Sequence, residues 1–323
     1  MQAAGDPFIV DYWLKNYERV WADDVDELHV HFNGQTDPEL VAFIKDRVTA
    51  LGGRFTTEPG RLIHGQATRK LVEACTADAV LLIEDDAFIR EPGAVAAQFA
   101  RLEAGEADVF ATPRGGMDPA IFEYACEKWA NEDLTSPEGN YGPGLWPCFV
   151  FARLADLMAT SRRFESWAWS PGQTIPGLEY TVPASGSAMC TDSFTTTAFE
   201  LRGAGLRIGP IVQYKELWNQ DLPPEGAPWF HAGGLANGDF LKDVWDGGGA
   251  RADIGGTNEG LDWAHRVWWW RRIVDSAGDT LAHLQPTYRK NLARLVDLTG
   301  VGDQVEEWTE TLLPWISWDD SGD

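Results

Sequence analysis

The run Ala79-Val80-Leu81-Leu82-Ile83 ends on Glu84-Asp85-Asp86 and resumes at once as Ala87-Phe88-Ile89. An unbroken series of branched apolar residues reads as a strand covered on both faces. Three consecutive carboxylates cannot enter an apolar core unpaired. The chain reconciles the two if the strand ends at a crevice, which is where open α/β sheets bind ligands. Neighbouring carboxylates also repel one another, and a divalent cation keeps them ionised at least cost. A solvated turn behind a core strand is the plainer alternative.

The rest of the chain favours the crevice. In order it reads as helix (Tyr12 to Ala22), strand (Glu27 to Phe32) and helix from Pro38, then a short strand (Arg54 to Thr57) and a helix (Gln66 to Cys75) that leads into the acidic strand. That alternation predicts an α/β unit with parallel neighbours. A helix from Pro92 and a strand from Asp108 follow, then the loop Arg114-Gly115-Gly116-Met117, a helix from Ala120 and the apolar run Trp146 to Phe151. Residues 164–180 read as an aromatic loop, Phe194 to Ala204 as a helix, and Leu206 to Val212 as a strand. Residues 257–323 read as a helical appendage with an acidic tail, behind a first domain over 1–256. The cluster Trp268-Trp269-Trp270-Arg271-Arg272 carries too many aromatics for one helix face and is expected to anchor the appendage on one side and a loop or partner subunit on another, so a homo-oligomer is a natural possibility.

Charge narrows the partners. A formal charge of -24 over 323 residues, with a pI of about 4.5, repels phosphate backbones and anionic membranes. The basic residues are mostly Arg, which suits a bidentate grip on carboxylate or diphosphate. Four widely spaced cysteines with no CxxC pair read as core or pocket-wall residues in a reducing compartment. With no leader-like start and no long apolar run, a soluble cytoplasmic protein is the expectation.

Three stretches together resemble the GT-A family of nucleotide-sugar glycosyltransferases, in its family-2-like form. The first is His64-Gly65-Gln66-Ala67 leading into Glu84-Asp85-Asp86, similar to the Asp-x-Asp motif with Glu in the first place. The second is Cys190-Thr191-Asp192-Ser193-Phe194, opening a helix, and the third is Trp229-Phe230-His231-Ala232-Gly233-Gly234. The resemblance implies a mixed, mostly parallel sheet flanked by helices. It also implies a nucleoside-diphosphate-sugar donor, an acceptor hydroxyl and a Mn²⁺ (or Mg²⁺) cofactor. Little strand material, Phe8-Ile9-Val10, precedes the first helix, so the donor base stays open between uridine and guanosine.

Within that resemblance Asp86 is the direct metal ligand, with Glu84 or Asp85 reaching the ribose or a metal-bound water. His231 closes the metal shell from the far side; a buried structural histidine is the alternative. His64 either approaches the diphosphate or caps its helix, and Arg114 pairs with phosphate or with an acid. Asp192 is expected to be the general base of an inverting transfer, or a helix N-cap, or both. Trp146, Trp167, Trp169 and Trp229 are the candidate sugar-stacking faces. The acceptor is a protein, glycan or small molecule before a modified DNA base. A nucleotidyltransferase, or a non-catalytic carbohydrate-binding or assembly protein, remains the competing function.

Overall fold

The computed structural model describes residues 1–3, 7–34, 38–58, 60, 62–85, 87–135, 141–211 and 228–231. The expected helical appendage over 257–323 and Asp86 itself lie outside the described residues. In chain order the strands and helices are β1 (Gln2–Ala3), α1 (Pro7–Asn16), β2 (His29–Asn33), α2 (Pro38–Ala50), β3 (Arg54–Glu58), α3 (His64–Ala74), β4 (Ala79–Ile83) and β5 (Ala87–Ile89). Then come α4 (Ala94–Glu103), β6 (Val109–Arg114), α5 (Pro119–Lys128), β7 (Gly144–Arg153), α6 (Leu154–Ala159), β8 (Trp167–Trp169), β9 (Thr174–Ile175), β10 (Tyr180–Thr181), β11 (Met189–Thr191), α7 (Thr195–Gly203), β12 (Ile208–Pro210) and β13 (Trp229–His231).

This is the mixed α/β architecture that the alternation predicts. A parallel sheet β1-β2-β3 holds the N-terminal segment, and a four-stranded sheet in the order β12-β6-β7-β4 carries the acidic turn. Strand β7 runs antiparallel to both β4 and β6, while β12 is parallel to β6. Side chains alternate across that second sheet. Ile83, Phe110, Phe149 and Phe151 face one apolar cluster with α1 and α2, whereas Leu82, Val109, Val150 and Ala152 face a second with α3, α6 and α7. Cover on both faces is why β4 and β7 read as unbroken apolar runs.

Two local expectations change. Phe8-Ile9-Val10 is helical, within α1, and the first strand lies ahead of it at Gln2–Ala3. Proline and the order of the chain explain the first part, since Pro7 fits the first helical position. The stretch read as an aromatic loop holds β8, β9 and the start of β10; β8 pairs antiparallel with β11 and β9 with β10, and these strands close over a third small core built on Trp129, Trp169 and Phe199.

Strand β7 also carries a bulge. Ala111 pairs with Val150 and Thr112 with Trp146, so Pro147, Cys148 and Phe149 fall between those two partners. Proline has no N–H for a ladder and sits at such irregularities. The bulge places Cys148 in the same apolar cluster as its neighbour Phe149, which strict alternation forbids.

The acidic turn is pinned from α1. Trp13 Nε1 donates to Ala87 O at 2.9 Å, and Asn16 Nδ2 donates to Ile89 O at 2.8 Å while its Oδ1 accepts from Ile89 N at 3.1 Å. Asn16 thus serves as a substitute strand on one edge of β5, and β13 pairs with β5 antiparallel. Asn16→Ala strands a buried N–H and a buried C=O, and is expected to cost roughly 2 to 4 kcal/mol in urea unfolding. A loss below about 1 kcal/mol would mean that water replaces the amide.

Candidate functional site

Strand β4 delivers Glu84 to the point where four distant segments meet. Its Oε1 lies 2.7 Å from His64 Nε2, at the first residue of α3. Its Oε2 accepts the Cys148 thiol at 2.8 Å, and His231 Nε2 stands 3.6 Å from the same oxygen. His231 arrives there because β13 pairs with β5 in a register that sets it opposite Ala87. The ligand atoms of Glu84, Cys148 and His231 all fall within 4.8 Å of one another, and both His231 and Cys148 are buried. A carboxylate oxygen, a thiol sulfur and an imidazole nitrogen at that spacing form a donor set that fits a divalent cation.

Electrostatics agree with geometry. Burial alone pushes the Glu84 carboxyl up, but the His64 hydrogen bond and charge, then the charge of His231 and the Cys148 hydrogen bond, outweigh it and hold the group at about 2. Glu84 is therefore an anion placed where a cation is wanted. Asp85, by contrast, is 3% exposed, and its charge acts on the buried amino group of Met1. A side chain so enclosed offers almost no surface to a ribose in this arrangement.

A second constellation lies beside the first. Arg114, the last residue of β6, places Nη2 2.7 Å from Asp192 Oδ2 and its guanidinium 4.6 Å from the centre of the Trp146 ring. Trp146 in turn meets His231 edge-on, with ring centres 5.9 Å apart. Asp192, Arg114, Trp146, His231, Glu84 and His64 therefore form one continuous path. Six of the residues expected from the sequence are brought together in it.

Asp192 is held by its surroundings rather than by a helix. Helix α7 starts at Thr195 behind Phe194, whose backbone is left-handed (φ 62) and which makes no side-chain cap. The Asp192 carboxylate instead accepts from Ser193 N at 2.7 Å and Ser166 Oγ at 2.9 Å, besides Arg114. The N-cap alternative is thus replaced by a loop clasp. Gly116 permits it: a Cβ there would sit 2.9 Å from Asp192 Cβ and 3.1 Å from Arg114 Nε, closer than atoms pack.

The tryptophans divide. Trp169 is 3% exposed, with Nε1 bonded to Thr191 Oγ1 at 3.0 Å, and Trp229 packs between Phe149 and Phe151 in the core. Neither offers a face to a sugar, because large apolar rings complete the cores that position the site. Trp146 is covered by Arg114. Trp167 is 37% exposed and stacked on by Arg163 at 4.3 Å, one residue from the Ser166 that holds Asp192. Sequence reading passed over Ser166, Asn16 and the ligand position of Cys148. The last was detectable only from the antiparallel register of β7 on β4, which pairs Ile83 with Phe149 and so sets Cys148 beside Glu84.

No family model and no curated protein sequence matches the chain. Among solved structures, it is similar to glucosyl-3-phosphoglycerate synthase from Mycobacterium tuberculosis, at 16% identity over 65% of this chain and 67% of that one, with a TM-score of 0.35. It is also similar to S. aureus TarS, at 13% identity, 95% and 81% coverage and a TM-score of 0.41. HddC from Yersinia pseudotuberculosis gives 12% identity, 46% and 65% coverage and a TM-score of 0.30. These likenesses are distant, and the site rests on this chain's own residues.

Glu84 sets a pH signature. Its folded value, near 2, lies below the usual 4.5, so its stabilisation is complete above about 4.5 and is lost as pH falls toward 2. In denaturant titrations the stability advantage of wild type over Glu84→Gln is expected to shrink steadily across that window. An advantage that stays constant from pH 6 to pH 2.5 would mean that the carboxylate is not held as an anion.

Proposed function

We propose that the chain is a divalent-cation-dependent glycosyltransferase, moving a hexose from a nucleoside diphosphate to an acceptor hydroxyl with inversion. The observation that carries this reading is the continuous path from Glu84 to Asp192, with a cation-binding donor set at one end and a carboxylate beside an exposed indole at the other. Glu84 and His231 would hold the cation, with Asp86 added from the sequence resemblance. The nitrogen of His231 favours Mn²⁺ over Mg²⁺. When bound, the ion neutralises charge on the departing diphosphate.

The chain's own groups supply the rest. Arg114 lies between the two ends and offers a planar fork to a phosphate oxygen. His64, on the other oxygen of Glu84, keeps that carboxylate oriented and is the imidazole we assign to the diphosphate. Asp192 takes the proton of the acceptor hydroxyl as that oxygen attacks the anomeric carbon. Its Oδ1 is already fixed by Ser193 and Ser166, so the carboxylate is oriented before the acceptor arrives. Trp167 offers the acceptor a flat apolar face. The catalytic unit spans 1–256 and the appendage 257–323.

Calorimetry with nucleoside diphosphates tests the class: binding is expected with Mn²⁺ and not in chelator, and cation-indifferent binding would contradict it. Asp192→Asn tests the base. It keeps the size of the side chain, so urea stability is expected to change little, while transfer falls roughly 10²-fold or more and donor affinity persists. Transfer near the wild-type rate would leave Asp192 only its part in holding Arg114.

A further inference from the structure

The cation expected from the sequence is a hard one, yet the donor set is not hard. We propose that Cys148 is a metal ligand, and that Glu84, Cys148 and His231 together select a thiophilic divalent ion of the zinc–cobalt class over magnesium and manganese. This revises the ion named for the transferase reading, in which Mn²⁺ was preferred to Mg²⁺, and its test is separate from that reading because metal uptake is measured without any substrate.

Geometry supports three donors around one ion. A tetrahedral ion with bonds of about 2.0–2.3 Å spaces its ligand atoms roughly 3.3–3.7 Å apart. Glu84 Oε2 and His231 Nε2 are already 3.6 Å apart. The 2.8 Å between Cys148 Sγ and Glu84 Oε2 is a hydrogen-bond separation, which opens once the thiol proton is gone. On binding, the S–H bond breaks, its proton leaves to solvent, and a sulfur–metal bond forms with no change of oxidation state. Charge also closes: a carboxylate, a thiolate and a neutral imidazole sum to two negative charges, which a divalent ion offsets. That balance matters in a buried place, where net charge is expensive.

The surroundings resemble a built outer shell. His64 holds the remaining oxygen of Glu84 at 2.7 Å, and the edge contact with Trp146 fixes the plane of the His231 ring. Cys148 itself is fully buried and is turned toward Glu84 by the Pro147 bulge. Soft sulfur and borderline nitrogen favour zinc-class ions, whereas Mg²⁺ prefers six oxygens, several from water.

The test uses the full chain, stripped by chelator and titrated with Co²⁺. The expected result is a near-ultraviolet sulfur-to-cobalt charge-transfer band that saturates at one ion per chain, vanishes with one equivalent of Zn²⁺ and survives a large excess of Mg²⁺ or Mn²⁺. Cys148→Ser is expected to lose the band and to bind Co²⁺ at least about tenfold more weakly. Should that variant fail to fold, a chain with Cys75, Cys126 and Cys190 all changed to Ser leaves Cys148 as the one thiol and must still show the band. The proposal is overturned by a wild type without the band, by a band that persists in Cys148→Ser, by its absence from the triple variant, or by displacement of Co²⁺ with Mg²⁺.

Discussion

A carboxylate at the end of a buried strand must be compensated where it stands, and Glu84 meets that requirement with two imidazoles and a thiol drawn from three remote places in the chain. Leaving one such charge unpaired costs several kcal/mol, which is a large share of the stability of an ordinary domain. The partially exposed Arg114–Asp192 pair, by contrast, contributes about 1 kcal/mol or less. The two halves of the site therefore differ in kind. The Glu84 cluster is part of what makes the fold hold together, whereas the half-exposed Arg114–Asp192 pair contributes little to it.

That division explains why so much of the scaffold serves one turn. Trp13 and Asn16 satisfy the backbone of β5 on one edge, β13 pairs with it, and the bulge in β7 turns Cys148 inward. Each device fixes a different approach to the same carboxylate. The contacts onward run through rings and a guanidinium, from His231 to Trp146 to Arg114 and so to Asp192.

Much of this was legible in the residues. The acidic strand, the helix of His64, the loop of Arg114 and the alternation of strands and helices follow from apolar periodicity and turn chemistry, which are local. The convergence of His64, Glu84 and His231 followed from resemblance, not from physics of the chain. What stayed hidden depends on pairing between distant segments. An antiparallel β7 looks the same in sequence as a parallel one, so Cys148 read as a wall residue rather than a neighbour of Glu84. Trp169 and Trp229 read as platforms because burial by segments distant in the chain leaves no local mark, and the strands inside the aromatic stretch are too short to show a period. Asp192 looked like a helix cap because the left-handed turn at Phe194, which moves the helix start to Thr195, is rare for a bulky residue.

The central claim is that a cation held at Glu84 works on a nucleoside-diphosphate leaving group. It is tested most directly by incubating the chain with a panel of uridine- and guanosine-diphosphate sugars and measuring release of nucleoside diphosphate, with metal, with chelator, and for Glu84→Gln. The account predicts release from at least one donor that requires the divalent ion and disappears in the variant. Release that ignores both chelation and the loss of the Glu84 carboxylate would contradict it, as would the absence of release from every donor in the metal-loaded wild type.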